Sequence, residues 1–365
     1  MSTIRLGFIG AGGMGQCAHL RNYLGERDCA VVAVAELRPR LRAEVAARYA
    51  IPRAYADHRE MLATEKLDGI VCIQQFEMHG QLLPEIFAAA PGVPVLTEKP
   101  IGRSIEAADT ILAAAARHGS PLHIAYHKRS DPAVLHAREL ITTWKASGEM
   151  GAMRLVRLAM PPGDWSAQGF STLITSDEAV PPLVRDAAPV GLDQAATDTY
   201  TAFVNYYIHQ VNLLRHLYGE DYEVTYADPA GHLLATRSAS GVAGTLEMAA
   251  YRTTADWQES AFVAFEKAWI RIELPAPLAI DRPGRVTVYR DDPGNGIAPY
   301  TVEPTLPAIH AMRQQARFFL KALRGEATPL CGPDEARRDL AAARRWFDLV
   351  TIAKAGAQKT AAARA

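Results

Sequence analysis

The residues best placed to do chemistry are a glycine cluster, an acid some way beyond it, a lysine at the end of an apolar run and a helix carrying histidine. Gly10-Ala11-Gly12-Gly13-Met14-Gly15 has the spacing G-x-G-x-x-G and follows directly on the apolar run Ile4 to Ile9. In such a turn the first glycine permits a tight bend and the second lets the backbone approach a pyrophosphate. The third lets the next helix pack close to the strand, and that helix points its positive end at the phosphates. A second apolar run, Ala30 to Ala35, ends in Glu36, where a carboxylate accepts hydrogen bonds from an adenosine ribose. Strand, turn, helix, strand and acid in this order predict a bound dinucleotide. Glu36 repels a ribose 2′-phosphate and so favours NAD over NADP, while Arg38 and Arg40 lie close enough to soften that preference.

Lys99 ends the run Val95-Leu96-Thr97-Glu98-Lys99-Pro100. Active sites in open α/β sheets lie at the carboxyl ends of strands, and a lysine there can donate to a hydroxyl and stabilise an alkoxide as the proton leaves. A solvated lysine before a turn proline fits the same spacing. Between Phe203 and Leu217, Asn205, His209, Asn212 and His216 form one polar stripe beside an apolar face of Val204, Ile208, Val211 and Leu214. A lone histidine on a helix is more often structural than catalytic. Gln74 and Gln75 follow another apolar run and are placed to approach a cofactor by the same strand-end argument. His127, Lys128 and Arg129 could bind hydroxyls, although a charged run at a domain junction is usually solvated. Asp164 and Trp165 could bind and stack on a sugar ring, or could anchor their own loop.

The elements that must position these groups follow from the patterning. Strands are predicted near 4–9, 29–35, 69–73, 94–97 and 122–126, alternating with helices near 14–24, 39–49, 57–65, 78–90, 104–118 and 131–147. Several strands are continuous apolar runs, as in a parallel sheet covered on both faces. After residue 127 the rhythm changes: a strand over 153–158, an irregular excursion over 161–199, a helix near 202–217, then strands at 223–226, 241–251, 262–265, 269–274 and 285–289. The expectation is an α/β protein with a doubly wound parallel sheet in residues 1–126. Residues 127–365 form an α+β domain with an open, mainly antiparallel sheet, and its two closing helices, near 307–324 and 334–355, pack back on the first domain.

A chain of 365 residues can bury two cores. Its net charge of −1 offers no basic field for nucleic acid or an anionic membrane surface. The four cysteines are scattered, no metal-ligand spacing occurs, and no apolar stretch is long enough to span a membrane. No metal is expected, and the cytoplasm is the expected compartment.

Taken together, the glycine motif, Glu36, Glu98-Lys99-Pro100 and Tyr126-His127-Lys128-Arg129-Ser130-Asp131-Pro132-Ala133 resemble the Gfo/Idh/MocA oxidoreductases. The resemblance implies a nicotinamide cofactor on the N-terminal domain, with Glu98 in the cofactor motif and a cis peptide before Pro100. It implies a C-terminal sheet that often mediates oligomers, here a homodimer or homotetramer. It makes Lys99 catalytic or substrate-orienting, and His79 matches a position where the family often carries a histidine near the cofactor, unless it simply caps its helix. On the later helix the family's usual pair is D-x-x-x-H, with histidine as general acid/base. His209 matches, but Asn205 stands where the acid is usual, so Asn205 is expected to act as a neutral orienter and His209 to have a lower pKa than in such relatives.

The reaction so implied is hydride transfer between nicotinamide and a secondary alcohol or ketone of a sugar, cyclitol or related polyol. Relatives that use held NAD for redox-assisted glycoside cleavage, and a sugar-responsive regulator without catalysis, are the alternatives.

Overall fold

The computed structural model describes residues 3–248, 253–328 and 330–364. The chain divides into two compact units that interleave along the sequence. The first comprises Met1–Ser130, Gln168–Tyr206 and Met312–Leu340, and the second Asp131–Ala167, Tyr207–Ala311 and Ala341–Ala365.

The first unit contains a six-stranded parallel sheet: β1 (Ile4–Ile9), β2 (Cys29–Ala35), β3 (Arg53–Tyr55), β4 (Gly69–Cys72), β5 (Val95–Thr97) and β6 (Leu122–Ile124). Its order is β3-β2-β1-β4-β5-β6, so the direction of winding reverses between β1 and β4, where open α/β sheets bind ligands. The apolar runs explain the core: Leu6, Phe8, Val34, Val71 and Leu96 are buried together with Phe319 and Leu320. Each such side chain contributes roughly 2 kcal/mol by leaving water.

Five helices connect these strands. Helix α1 is π-helical over Gly15–Leu20 and α-helical over Arg21–Tyr23, and α2 is Pro39–Arg48, α3 His58–Thr64, α4 His79–Ala89 and α5 Ile105–His118. The boundaries are set by local chemistry. Asp57 caps α3 by accepting from the Arg59 N–H (2.8 Å), Ser104 caps α5 by accepting from the Ala107 N–H (3.1 Å), and Gly119 ends α5 in the left-handed conformation.

In the second unit α6 (Pro132–Ser147) begins at Asp131, whose carboxylate accepts from the Ala133 N–H. Its Trp144 meets Phe265 edge to face. The eight strands are β7 (Met153–Ala159), β8 (Tyr222–Ala227), β9 (Leu233–Ser238), β10 (Ala243–Glu247), β11 (Ser260–Phe265), β12 (Ala268–Glu273), β13 (Arg285–Asp292) and β14 (Ile297–Val302). They lie in the order β14-β13-β12-β11-β7-β10-β9-β8, and every pairing is antiparallel except β7 with β10. The expected α/β plus mainly antiparallel α+β architecture is what the chain adopts.

Several elements differ from the sequence expectation. Strands β3, β9 and β14 were not expected: β3 is three residues long with exposed Arg53, β9 mixes Thr, Arg and Ser into its run, and β14 carries Pro299. Proline is tolerated in β14 because that strand is at the sheet edge. Helix α7 (Gln194–Tyr218) starts eight residues before the expected 202, so the irregular excursion is shorter than 161–199. Helix α8 is Ala311–Leu323 and α9 is Pro333–Arg364, the latter longer than expected. The predicted strand over 241–251 is β10, and its residues 249–251 lie outside the described residues.

Candidate active site

The glycine loop shows why the fold needs glycine at positions 10 and 15. Gly10 has φ +99°, and a Cβ there would lie 2.3 Å from the main-chain oxygen of Ile73. At Gly15 a Cβ would lie 2.6 Å from the oxygen of Gly10, so the helix can approach the strand only with glycine at that position. Gly12 is different: a Cβ there would meet nothing closer than Arg38 Nη2 at 3.9 Å. The fold leaves open space beside the Gly12 backbone, which is what a closely approaching pyrophosphate requires.

Glu36, at the end of β2, is buried and accepts from the Ala11 N–H (3.0 Å), the Arg38 N–H (3.1 Å), Arg38 Nε (2.8 Å) and Arg38 Nη2 (3.2 Å). Burial acts to raise its pKa. The hydrogen bonds and charge of Arg38 and the Ala11 N–H outweigh burial, leaving the carboxyl below its ordinary value and hence ionised. Four donors fill a carboxylate's acceptor directions, so any further donor at Glu36 has to displace one of them.

These residues fit a dinucleotide. The loop has a bend only glycine can make, an open backbone position and an ionised acid at the second strand.

At the end of β5, Glu98 is buried. Its Oε1 accepts from His19 Nε2 (2.7 Å) and its Oε2 from the Lys99 N–H (3.1 Å). Burial pushes Glu98 up, but His19 and Lys99 together hold it below the usual carboxylate range. The peptide between Lys99 and Pro100 is cis. Lys99 Nζ donates to the main-chain oxygen of Asn205 (2.8 Å). Desolvation lowers the Lys99 pKa, with Lys128 adding to the shift and Glu98 opposing it.

Asn205 thus meets Lys99 through its backbone, while the residue itself is exposed. Any residue at 205 could supply that oxygen, so the departure from aspartate does not cost Lys99 this contact.

The other expected residues are distributed as follows. A Cβ built at Gly10 would fall 2.8 Å from Gln74 Nε2, whereas Gln75 is exposed. Gly13 lies under Phe170, whose ring would be 3.1 Å from an added Cβ. His79 opens α4 fully buried, with Nδ1 facing the Ile101 oxygen and Nε2 the Gln74 oxygen, each at 3.2 Å. Burial holds its pKa low, and the ring braces the backbone around the ends of β4 and β5.

The run His127, Lys128, Arg129 is buried rather than solvated, and Arg129 Nη1 donates to Glu335 at 2.6 Å. A guanidinium is tolerated in such a place because a carboxylate pairs with it. In the second unit Asp164 Oδ1 accepts from Ser166 N (3.0 Å), Ser166 Oγ (2.6 Å) and Ala167 N (3.1 Å), which anchors its loop. Trp165 is partly exposed in the same unit. His209 is buried on the part of α7 assigned to the second unit, whereas Asn205 and Lys99 belong to the first.

Two contributors, His19 and Gln16, were not foreseen. His19 is a histidine within an apolar helix, and nothing in its spacing points to Glu98. Gln16 donates from Nε2 to the Ala11 oxygen (2.8 Å) and the Ile174 oxygen (3.0 Å), and its Oε1 accepts from the Ile174 N–H (3.0 Å). Through these bonds the segment around Phe170 and Ile174 is tied over the glycine loop. Among the described residues no group of three or more His, Cys, Asp or Glu is arranged to hold a metal ion, and no helix is long and apolar enough to cross a membrane.

Fold and loop together define the class: a two-unit protein whose doubly wound domain is built for a dinucleotide. Residues 4–126 match the Gfo/Idh/MocA family model, described as an oxidoreductase family with an NAD-binding Rossmann fold. It is 25% identical over 224 residues to the uncharacterized oxidoreductase YrbE of Bacillus subtilis (strain 168), covering 61% of this chain and 56% of that protein. It is 27% identical over 237 residues to inositol 2-dehydrogenase of Burkholderia multivorans (strain ATCC 17616 / 249), covering 63% and 60%. The chain thus spans less than two thirds of the length of the curated relatives it matches. In fold it is similar to the NAD binding oxidoreductase from Klebsiella pneumoniae, with a TM-score of 0.71, 16% identity and coverage of 96% and 97% of the two chains.

Proposed function

We propose that this chain is an NAD-dependent dehydrogenase acting on a secondary alcohol of a cyclitol or related polyol, with the ketone as its oxidised counterpart. The observation that carries the proposal is Lys99: an ammonium at the carboxyl end of β5, desolvated, anchored by the Asn205 oxygen and set beside the buried Glu98–His19 pair. When bound, a nicotinamide ring takes up or returns the hydride of the carbinol carbon. Lys99 donates a hydrogen bond to the substrate oxygen and stabilises the negative charge that develops there. His209 accepts the hydroxyl proton and returns it in the reverse direction.

The family resemblance and the match to an inositol 2-dehydrogenase support the polyol class. Glu36 supports NAD, because its ionised carboxylate accepts from ribose hydroxyls and repels a phosphate ester. Arg129 and Asp164, whose charges are committed to Glu335 and to their own loop, have supporting roles rather than substrate contacts in this proposal.

The test is a screen of inositols, sugars and sugar acids for reduction of added NAD, run beside a glycoside-cleavage assay. Reduction with a cyclitol or polyol is the expected result. Binding of NAD with no reduction by any compound, or glycoside cleavage without net reduction, would set the proposal aside.

A further inference from the structure

We infer that Asp177 and Glu178, more than a hundred residues from the nucleotide motif, set the preference for NAD by occupying the groups that would receive a ribose 2′-phosphate. The inference rests on the proposal above, that the glycine loop holds a nicotinamide dinucleotide with its adenosine ribose at Glu36.

A phosphate ester on that ribose would add a dianion beside Glu36, where β2 turns into α2. The groups that could receive it are the guanidinium groups of Arg38, Arg40 and Arg42 and the N–H groups of Arg40 and Leu41 at the start of α2. Each already has an acceptor. Arg38 is bonded to Glu36. Arg40 Nη2 donates to Asp177, with Glu44 3.9 Å from its Nε. Arg42 Nη1 donates to the Glu36 main-chain oxygen at 2.7 Å. At the helix start, Glu178 Oε1 accepts from the Arg40 N–H (2.9 Å) and Oε2 from the Leu41 N–H (3.1 Å). Glu178 therefore sits as a built-in anion where the positive end of α2 would otherwise attract one.

The acids are held there by their neighbours. Ser176 Oγ donates to Glu178 Oε2 at 2.7 Å, Arg48 Nη1 donates to the Thr172 oxygen at 2.9 Å, and Ile174 is tied to Gln16. Arg38 and Arg40, which by sequence alone soften the discrimination of Glu36, are each matched by a carboxylate. A 2′-phosphate would have to displace Glu178 and meet two further negative charges, whereas NAD brings only hydroxyls to Glu36.

The experiment measures dissociation constants of NAD and NADP by calorimetric titration of the full chain, for the wild type, Glu178→Gln, Asp177→Asn and the double variant. Glu178→Gln is expected to leave NAD within about twofold and to tighten NADP roughly fivefold, from the strength of an anion at a helix N-terminus. The double variant gains more, and the gain shrinks as salt is raised. Asp177→Asn alters one exposed carboxylate and gives the same direction even should Glu178→Gln fold poorly.

An unchanged NADP-to-NAD ratio overturns the inference while leaving the cofactor proposal intact. Equal weakening of both dinucleotides overturns it in favour of a purely structural strap, and wild-type binding of NADP as tight as NAD overturns it as well. Binding of neither dinucleotide overturns the cofactor proposal and this inference together.

Discussion

Gly12 separates what the fold needs from what a ligand needs. A Cβ at Gly12 would have no heavy atom nearer than 3.9 Å, and Gly12 has no positive φ to strain. Gly12→Ala is therefore expected to fold as well as the wild type, or to gain about 0.5 kcal/mol because the unfolded chain loses freedom. A pyrophosphate held against this backbone would be pushed outward by the added methyl and lose one or two hydrogen bonds to a charged group. At roughly 1.5–3 kcal/mol each, with about 1.4 kcal/mol per tenfold, that is a loss of ten- to a hundredfold or more in NAD affinity.

Gly15→Ala and Gly10→Ala provide the contrast. Their methyl groups would lie 2.6 and 2.3 Å from backbone oxygens, and at Gly10 the positive φ adds strain. These variants are expected to lose about 2–4 kcal/mol of folding stability. Urea denaturation and calorimetric titration of NAD on the same samples read both quantities. A Gly12→Ala variant that binds NAD within twofold of the wild type, or that unfolds like Gly10→Ala, would refute the assignment of this open backbone to a pyrophosphate.

Lys99→Met is expected to lower turnover by at least a hundredfold while leaving NAD affinity within a few-fold, since it removes the donor to the alkoxide and not the nucleotide loop. Desolvation holds the Lys99 pKa below the ordinary lysine value, and activity that depends on its ammonium is present at pH below that lowered value. It falls as pH rises through that lowered value, earlier than for a free lysine, and a pH–rate profile measures this. Glu98 has a depressed folded pKa, so its contribution to stability is present above the ordinary glutamate value and is lost as pH falls through the folded one; denaturation curves at neutral and acid pH test the loss. His19→Ala leaves the buried Glu98 carboxylate with one partner fewer and is expected to cost about 1–3 kcal/mol by urea denaturation at neutral pH. Asn205→Ala is expected to retain most activity in a steady-state assay, because Lys99 uses the main-chain oxygen at that position.

What was legible in the sequence was local. The glycine spacing, Glu36 and Lys99 could be found because each sits at a strand end that an apolar run announces, and the parallel sheet follows from the same runs. The short or polar strands β3, β9 and β14 carry no such run, and each is placed by pairing with the strand just before it in sequence, β2, β8 and β13. His19 and Glu98 are 79 residues apart, and Arg40 and Glu178 are 138 apart, so no spacing connects them. The main-chain contact of Asn205 was hidden for another reason, since side-chain identity says nothing about which carbonyl oxygen a lysine reaches. The burial of His127, Lys128 and Arg129 reverses the usual expectation for a charged run because Glu335, on α9, supplies a carboxylate to Arg129.

Hydride transfer from a carbinol carbon is tested most directly with the best substrate of the polyol screen, deuterated at that carbon. Deuterium is expected on the nicotinamide ring of the reduced cofactor, with turnover slowed in the single-turnover phase. Reduced cofactor without the label, or release of the deuterium to water, would contradict it.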